Sequence, residues 1–147
     1  MELKFKNIKK ILIPTDGSDY SMRAAEYGIS IAKMLDAEII IVYVIDNVVL
    51  DQISKAAERE NAEEALKQDG QRYIDYVFGL AEKEGVEYNS LLAKGIPFEQ
   101  IVNLAKELKI DLIVMGTYGR KGAERILIGS VAERVIEYSP CPVLVIK

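Results

Sequence analysis

Histidine is absent from this 147-residue chain, and cysteine occurs once, at Cys141. The first absence excludes Ser-His-Asp and Cys-His catalysis and any zinc site built on imidazole. The second excludes an intrachain disulfide and a thiolate metal cage, and it gives no hint of an oxidising compartment. No apolar stretch approaches the roughly 20 residues that span a bilayer. The start, MELKFKNIKKILIP, has basic residues but too short an apolar run for a signal-peptide core, so a cytoplasmic location is expected. A basic excess is lacking too: 19 Lys and Arg stand against 23 Asp and Glu, a net charge of −4. General nucleic-acid binding, which needs a basic face, is therefore not expected. What is present is the composition of an ordinary globular protein, 50% apolar and 29% charged, in a length that predicts one domain over residues 1–147. Chemistry here falls to carboxylates, hydroxyls, backbone amides, Lys and Arg.

Strand-like and helix-like patterns alternate along the chain. Lys10 to Ile13 is a short apolar run ended by Pro14, and Ser18 or Asp19 can cap the helix that follows. Ala24, Tyr27, Gly28, Ile31 and Leu35 form one stripe of that helix. Glu38 to Ile45 is a near-continuous Ile/Val run, as in a strand covered on both faces. A helix is expected from about Gln52 to Glu84, with Ile74, Val77, Phe78 and Ala81 on its inner face and Gly85 at its end. A weaker strand reads from Val86 to Leu92. Pro97 suits the first turn of a helix with face Ile101, Leu104, Ala105 and Leu108. Asp111 to Met115 is a fourth strand. A helix after Ser130 carries Val131, Val135 and Ile136 and stops at Pro140-Cys141-Pro142. Val143 to Ile146 is a fifth strand. Such alternation with short connections predicts an α/β fold: an open, doubly wound, five-stranded parallel sheet of Rossmann-like type. The sequence has no linker, tandem repeat or low-complexity tract. The stretch from Asn47 to about Arg59 is either a mobile flap or only a solvated helix and its approach.

The segment GTYGRKGAERILIGS, Gly116 to Ser130, carries the chemistry. It joins the end of a strand to a fresh helix N-terminus, where backbone N–H groups and the positive dipole end attract an anion. It points to a phosphate-bearing ligand such as a nucleotide. Ligands of open α/β sheets sit beyond the carboxyl ends of the strands, where the winding reverses. If the first and fourth strands are neighbours, Asp16 and Gly116 face each other there. Asp16 could then bond a ribose hydroxyl or adenine amine, or hold Mg²⁺ beside phosphates; alternatively it is a turn or capping aspartate. Glycines permit close backbone approach. Gly129-Ser130 can present N–H groups and a hydroxyl to phosphate oxygens, with Arg120 and Lys121 adding positive charge at the rim. Taken singly, Gly119 and Gly122 read as turn residues, and Asp46 and Asp111 as structural. Neither GxxxxGK[ST] nor a GxGxxG after the first strand occurs, so a P-loop NTPase and a standard dinucleotide-binding dehydrogenase are disfavoured. A receiver domain is disfavoured too, because Asp16 lacks an adjacent acidic partner and the third strand ends Leu91-Leu92-Ala93.

Pro14-Thr15-Asp16, Val42-Tyr43-Val44, the spacing Gly116-x2-Gly119-x9-Gly129-Ser130 and the closing Ser139-Pro140-Cys141-Pro142-Val143-Leu144-Val145 resemble the universal stress protein family, in particular its ATP-binding branch. The resemblance runs essentially end to end. It implies strand order 3-2-1-4-5 with ATP at the strand C-termini. Pro14, Thr15, Asp16 and the Val44 backbone would surround adenine and ribose, with Met115 nearby. Gly116, Gly119, Arg120, Gly129, Ser130 and Val131 would hold the phosphates, bridged by Mg²⁺ or Mn²⁺. Tyr118 stands where many members have histidine. The resemblance also implies a homodimer through the last strand, and Val143 to Ile146 would indeed be an apolar edge that invites pairing; a monomer with a protected edge is the alternative. Cys141 reads as a small hydrophobe rather than a redox sensor.

The functional expectation is ATP binding in a stress-response or regulatory role set by nucleotide state, with no catalytic residue assigned and the protein ligands of any metal open. The alternatives are a slow metal-dependent ATP hydrolase using Asp16 or metal-bound water, and an interaction module without a nucleotide. No membrane association is expected.

Overall fold

The computed structural model describes residues 7–118 and 128–147. Its elements run β1 (Lys10–Pro14), α1 (Asp19–Leu35), β2 (Glu38–Asp46), α2 (Asn47–Asp51), α3 (Ala56–Glu84), β3 (Tyr88–Gly95), α4 (Pro97–Glu107), β4 (Leu112–Gly116), α5 (Ser130–Tyr138) and β5 (Val143–Ile146). The five strands form one parallel sheet in the order β3-β2-β1-β4-β5. β1 and β4 are neighbours, so the winding reverses between them and opens a crevice at their carboxyl ends. The expected fold class and strand order are observed.

Alternation along the strands divides the core into two layers, because successive side chains of a strand point to opposite faces. Ile11, Ile13, Ile39, Ile41, Leu112 and Val114 pack under α1 and α3. Leu12, Ile40, Val42, Ile113 and Met115 pack under α4 and α5. Asp111 braces the start of β4: its carboxylate accepts from the Lys9 and Lys10 N–H groups at 2.8 and 3.0 Å. That is the structural role expected of it.

Several local expectations need correction. The buried face of α1 is Ser21, Ala24, Ala25, Gly28, Ile29 and Ala32, whereas Tyr27 is 56% exposed. α1 lies so close to the sheet that a methyl on Gly28 would sit 2.6 Å from Ile13 Cδ1. Ala24 and Gly28 of the expected stripe are on the contact face, and Ile31 and Leu35 pack at its margin; close approach favours small residues at the contact and leaves Tyr27 outside it. On α5, Ala132 and Val135 are buried and Ile136 is 47% exposed for the same reason of facing. β3 begins at Tyr88 rather than Val86, since the Val86 N–H still bonds the Ala81 carbonyl of α3. It runs on to Gly95 because β2 templates it through to the pair Asp46↔Gly95. The helix expected from about Gln52 begins at Ala56 as α3, and the stretch before it contains the short helix α2. Asp46 caps α2 by accepting from the Val48 N–H at 2.9 Å, and Arg59 donates to the Ile53 carbonyl at 2.8 Å, bracing the turn between the helices.

Candidate functional site

β1 ends at Pro14, and the last bond of its register with β2 is the Thr15 N–H donating to the Val42 carbonyl at 2.9 Å. The chain then turns through Gly17, at φ +83°, into α1. β2 continues past the end of β1 to Asp46, paired there only with β3. Its even-numbered residues direct their backbone groups to the β1 side, as the Glu38 N–H to Lys9 carbonyl and Thr15 to Val42 bonds establish, while the Ile39 N–H bonds Glu87 on the β3 side. Val44 therefore presents an N–H donor and a carbonyl acceptor to space that β1 has vacated. This follows from the register alone.

A cavity of about 570 Å³ occupies that space, over the carboxyl ends of β1, β2 and β4. Of the site residues inferred from sequence, Pro14, Thr15, Asp16, Val44, Met115, Gly116, Gly129, Ser130 and Val131 all line it. Gly119 and Arg120 lie outside the described residues, as does Lys121. Among the described residues, the buried polar side chains are Thr15, Ser21 and Thr117, and all three line this cavity. Buried polar groups need partners, which these find within the chain, and their convergence on one cleft makes it the candidate site.

The two helix N-termini at the crevice differ. At α1, the Ser18 hydroxyl accepts from the Ser21 N–H at 3.2 Å, and the Asp16 carboxylate accepts from the Ser18 N–H at 3.0 Å. The Ser21 hydroxyl donates to the Ser18 carbonyl at 2.9 Å and lies 3.3 Å from the Thr15 hydroxyl. A side chain of the protein thus caps that end. At α5 the N-cap is Gly129, which has no side chain to cap with. The Gly129 N–H donates to the Thr117 carbonyl at 2.7 Å, so it is not among the amides offered to a ligand. Ser130, Val131 and Ala132 are the first-turn residues whose N–H groups have no intrahelical partner, and all three line the cavity. An anion is attracted to this end by amides and dipole together.

Asp16 is thus both a turn aspartate and a lining residue, and the two readings drawn from sequence do not compete. Asp46 caps α2 and also lines the cavity. A methyl on Gly116 would lie 2.8 Å from the carbonyl carbon and Cβ of Tyr20, so glycine is needed there for α1 to reach β4. Tyr118 packs edge-on against Tyr20, ring centroids 5.1 Å apart, with the Arg23 guanidinium 4.9 Å from the Tyr20 centroid.

Sequence reasoning missed the outer wall. Val49 of α2, Leu66 of α3, and Pro97 and Ile101 of α4 line the cavity opposite the strand ends. The Asn47–Leu50 segment is therefore a helix with buried Leu50 that adds Val49 to the wall, rather than only a solvated approach. Leu66 lies one turn from Glu63, whose carboxylate is paired with Lys94 at 2.8 Å. The hydrogen bond from Lys94 holds the Glu63 carboxyl below its ordinary range. Leu66 continues the apolar face of α3, seven residues before Tyr73 and eleven before Val77, a signal that lies in the first half of the helix, ahead of the stripe read from Ile74 to Ala81. Ser21 and Thr117 were closer to hand, each a short polar residue beside a recognised turn. Away from the cavity, burial pushes the Cys141 thiol up, partly opposed by its hydrogen bond with Ser139, and Cys141 packs against the α4/α5 layer as a hydrophobe would. Among the described residues, no group of three acidic or cysteine side chains is placed to hold a metal ion.

Residues 7–147 match the Universal stress protein family. Universal stress protein MJ0531 of Methanocaldococcus jannaschii is 48% identical over 139 residues, covering 95% of this chain and 82% of the relative. The solved structure of MJ0577, a protein of the same organism, superposes with a TM-score of 0.86 at 31% identity, covering 95% of this chain and 96% of that one. A universal stress protein in complex with cAMP superposes with a TM-score of 0.71 at 28% identity, covering 95% and 97% of the two chains. Matched along nearly its whole length in sequence and in fold, the chain belongs to the universal stress protein family.

Proposed function

We propose that this chain binds ATP as one domain spanning residues 1–147 and acts in the cytoplasm through its nucleotide-dependent state, in a stress-response or regulatory role rather than by rapid catalysis. The observation that carries this reading is the polarity of the cavity. One end has the paired donor and acceptor of Val44 between apolar walls, and the other has the uncapped amides of α5. Adenine carries an acceptor (N1) beside a donor (the 6-amino group) and matches such an edge, whereas guanine presents the two in reversed order. Pro14, Thr15, Asp16, Val44 and Met115 would hold adenine and ribose. Gly116, Gly119, Arg120, Ser130 and Val131 would receive the phosphates, with Gly129 admitting their close approach.

Mg²⁺ or Mn²⁺ would be carried mainly by phosphate oxygens, with Asp16 the carboxylate at hand. A set of one carboxylate plus phosphates suits either hard cation. Bound there, the ion would offset phosphate charge. Asp16 and Asp46 each already accept a backbone N–H, which favours binding and positioning over general-base work.

A homodimer through β5 belongs to the same reading. The Ile113 N–H bonds the Pro142 carbonyl and the Thr117 N–H bonds the Ile146 carbonyl, so the backbone groups of Val143 and Val145 face outward, and Leu144 is 37% exposed. An open apolar edge of this kind suits pairing with a second copy.

The test is to denature the purified protein, identify released small molecules by chromatography and mass spectrometry, and titrate ATP and GTP with Mg²⁺ by calorimetry. ATP is expected to bind roughly 10- to 100-fold more tightly than GTP, the cost of leaving a buried donor and acceptor mismatched. No released adenine nucleotide together with no ATP binding refutes the proposal.

A further inference from the structure

Thr117 follows the last residue of β4 and is 5% exposed. Its backbone N–H and its hydroxyl both donate to the Ile146 carbonyl, each at 2.8 Å, and its own carbonyl accepts from the Gly129 N–H at 2.7 Å. One residue thus ties together the end of β4, the end of β5 and the N-cap of α5. Extending the β4–β5 ladder requires only the backbone N–H. The hydroxyl adds a second donor to the same carbonyl, and with both in place the Thr117 peptide is held so that its carbonyl aims at Gly129.

Gly129 lacks a side chain to fix its own orientation, and it is the residue from which Ser130, Val131 and Ala132 direct their amides into the cavity. The aim of those amides therefore depends on the bond from Gly129 to Thr117. The Thr117 hydroxyl is itself a poor phosphate ligand. Its proton is committed to Ile146, which leaves only lone pairs to face an anion. Its influence on a phosphate runs through geometry.

We propose that Thr117 is a positioning residue for the phosphate end of the site, acting through Gly129 to hold the α5 amides in line. The inference rests on the nucleotide reading above and deepens it. A residue that merely staples two strand ends would affect every ligand of the cavity alike. A residue that aims the α5 amides affects ligands in proportion to their phosphates and spares the base end at Val44.

The experiment compares ATP with Mg²⁺ and adenosine on the full chain by calorimetry, for the unsubstituted protein, T117V and T117S. Valine keeps the shape and removes the hydroxyl; serine restores it. T117V is expected to weaken ATP binding by roughly five- to tenfold, the worth of one net hydrogen bond, while adenosine changes by less than about twofold and T117S recovers ATP affinity. If T117V does not fold, T117A takes its place, since it retains the backbone bond to Ile146 and removes the same hydroxyl. An equal loss for ATP and adenosine, or no loss for either, overturns the inference while nucleotide binding stands. Failure of the unsubstituted protein to bind either ligand overturns both.

Discussion

Replacing Gly116 with alanine brings the fold and the site into one measurement. The new Cβ would lie 2.8 Å from the Tyr20 carbonyl carbon and Cβ and 3.0 Å from the Ser21 nitrogen. Relaxed contacts need about 3.5–4.0 Å, so β4 and the first turn of α1 would have to part by roughly 0.5–1 Å. Two of the three opposing atoms are backbone, and that turn is held by the Ser18 cap on Ser21 and by the contact of the Ser21 and Thr15 hydroxyls. Neither side can yield by a rotamer change. The expected cost is that of overpacking a core, about 1–3 kcal/mol, read as a lowered midpoint of urea unfolding followed by circular dichroism. Because Thr15 and Ser21 line the cavity, ATP affinity should fall as well, by about tenfold for a loss near 1.4 kcal/mol. Gly79 is the control. It lies inside α3 with no atom within 4 Å of where a Cβ would sit, so G79A should stabilise the protein by about 0.5–1 kcal/mol through helix propensity. If G116A is as stable as the parent, or gains stability as G79A does, α1 and β4 are not in the close contact described, and the placement of Thr15 and Ser21 on the cavity fails with it.

Other substitutions probe single elements. G17A places a side chain at φ +83° and its Cβ into the Tyr73 ring, so a loss of at least about 1–2 kcal/mol is expected from the left-handed backbone alone; unchanged thermal stability would refute the turn geometry. S18A removes the acceptor of the Ser21 N–H and should cost about 1 kcal/mol, with a denaturant midpoint that does not move as the contrary result. The raised pKa of Cys141 predicts slow modification by Ellman's reagent at pH 8 relative to the urea-unfolded chain, and equal rates would count against its burial. Since the folded value lies above the unfolded one, the linked stability is fully present below the unfolded pKa and declines as pH rises through the folded one. C141A should therefore flatten the alkaline limb of the stability profile.

The parts of the fold that were legible in sequence are those set by local pattern. Alternation of short Ile/Val runs with amphipathic stretches was enough to predict a doubly wound parallel sheet, because strands covered on both faces and helices covered on one have different periods. Pro14, Gly85 and Pro97 marked ends correctly, since each acts through its own backbone geometry. Boundaries set by a neighbour were not legible. β3 reaches Gly95 only because β2 is there to template it. The inner face of α1 is made of small residues because β1 and β4 stand so close, a distance that no window of sequence contains.

The candidate site divides in the same way. By itself, the sequence determined that a strand ends in glycine before a helix that begins at Gly129-Ser130, that no histidine is available for catalysis, and that Pro14-Thr15-Asp16 closes another strand. Those are properties of residue type and local order. The tertiary structure alone decided that the Gly129 amide belongs to Thr117, that Val44 exposes its backbone where β1 leaves the sheet, and that Val49 and Leu66 close the outer wall. Each depends on which groups, distant in the chain, come within hydrogen-bonding or contact distance, and a backbone donor shows its partner only once the chain is folded.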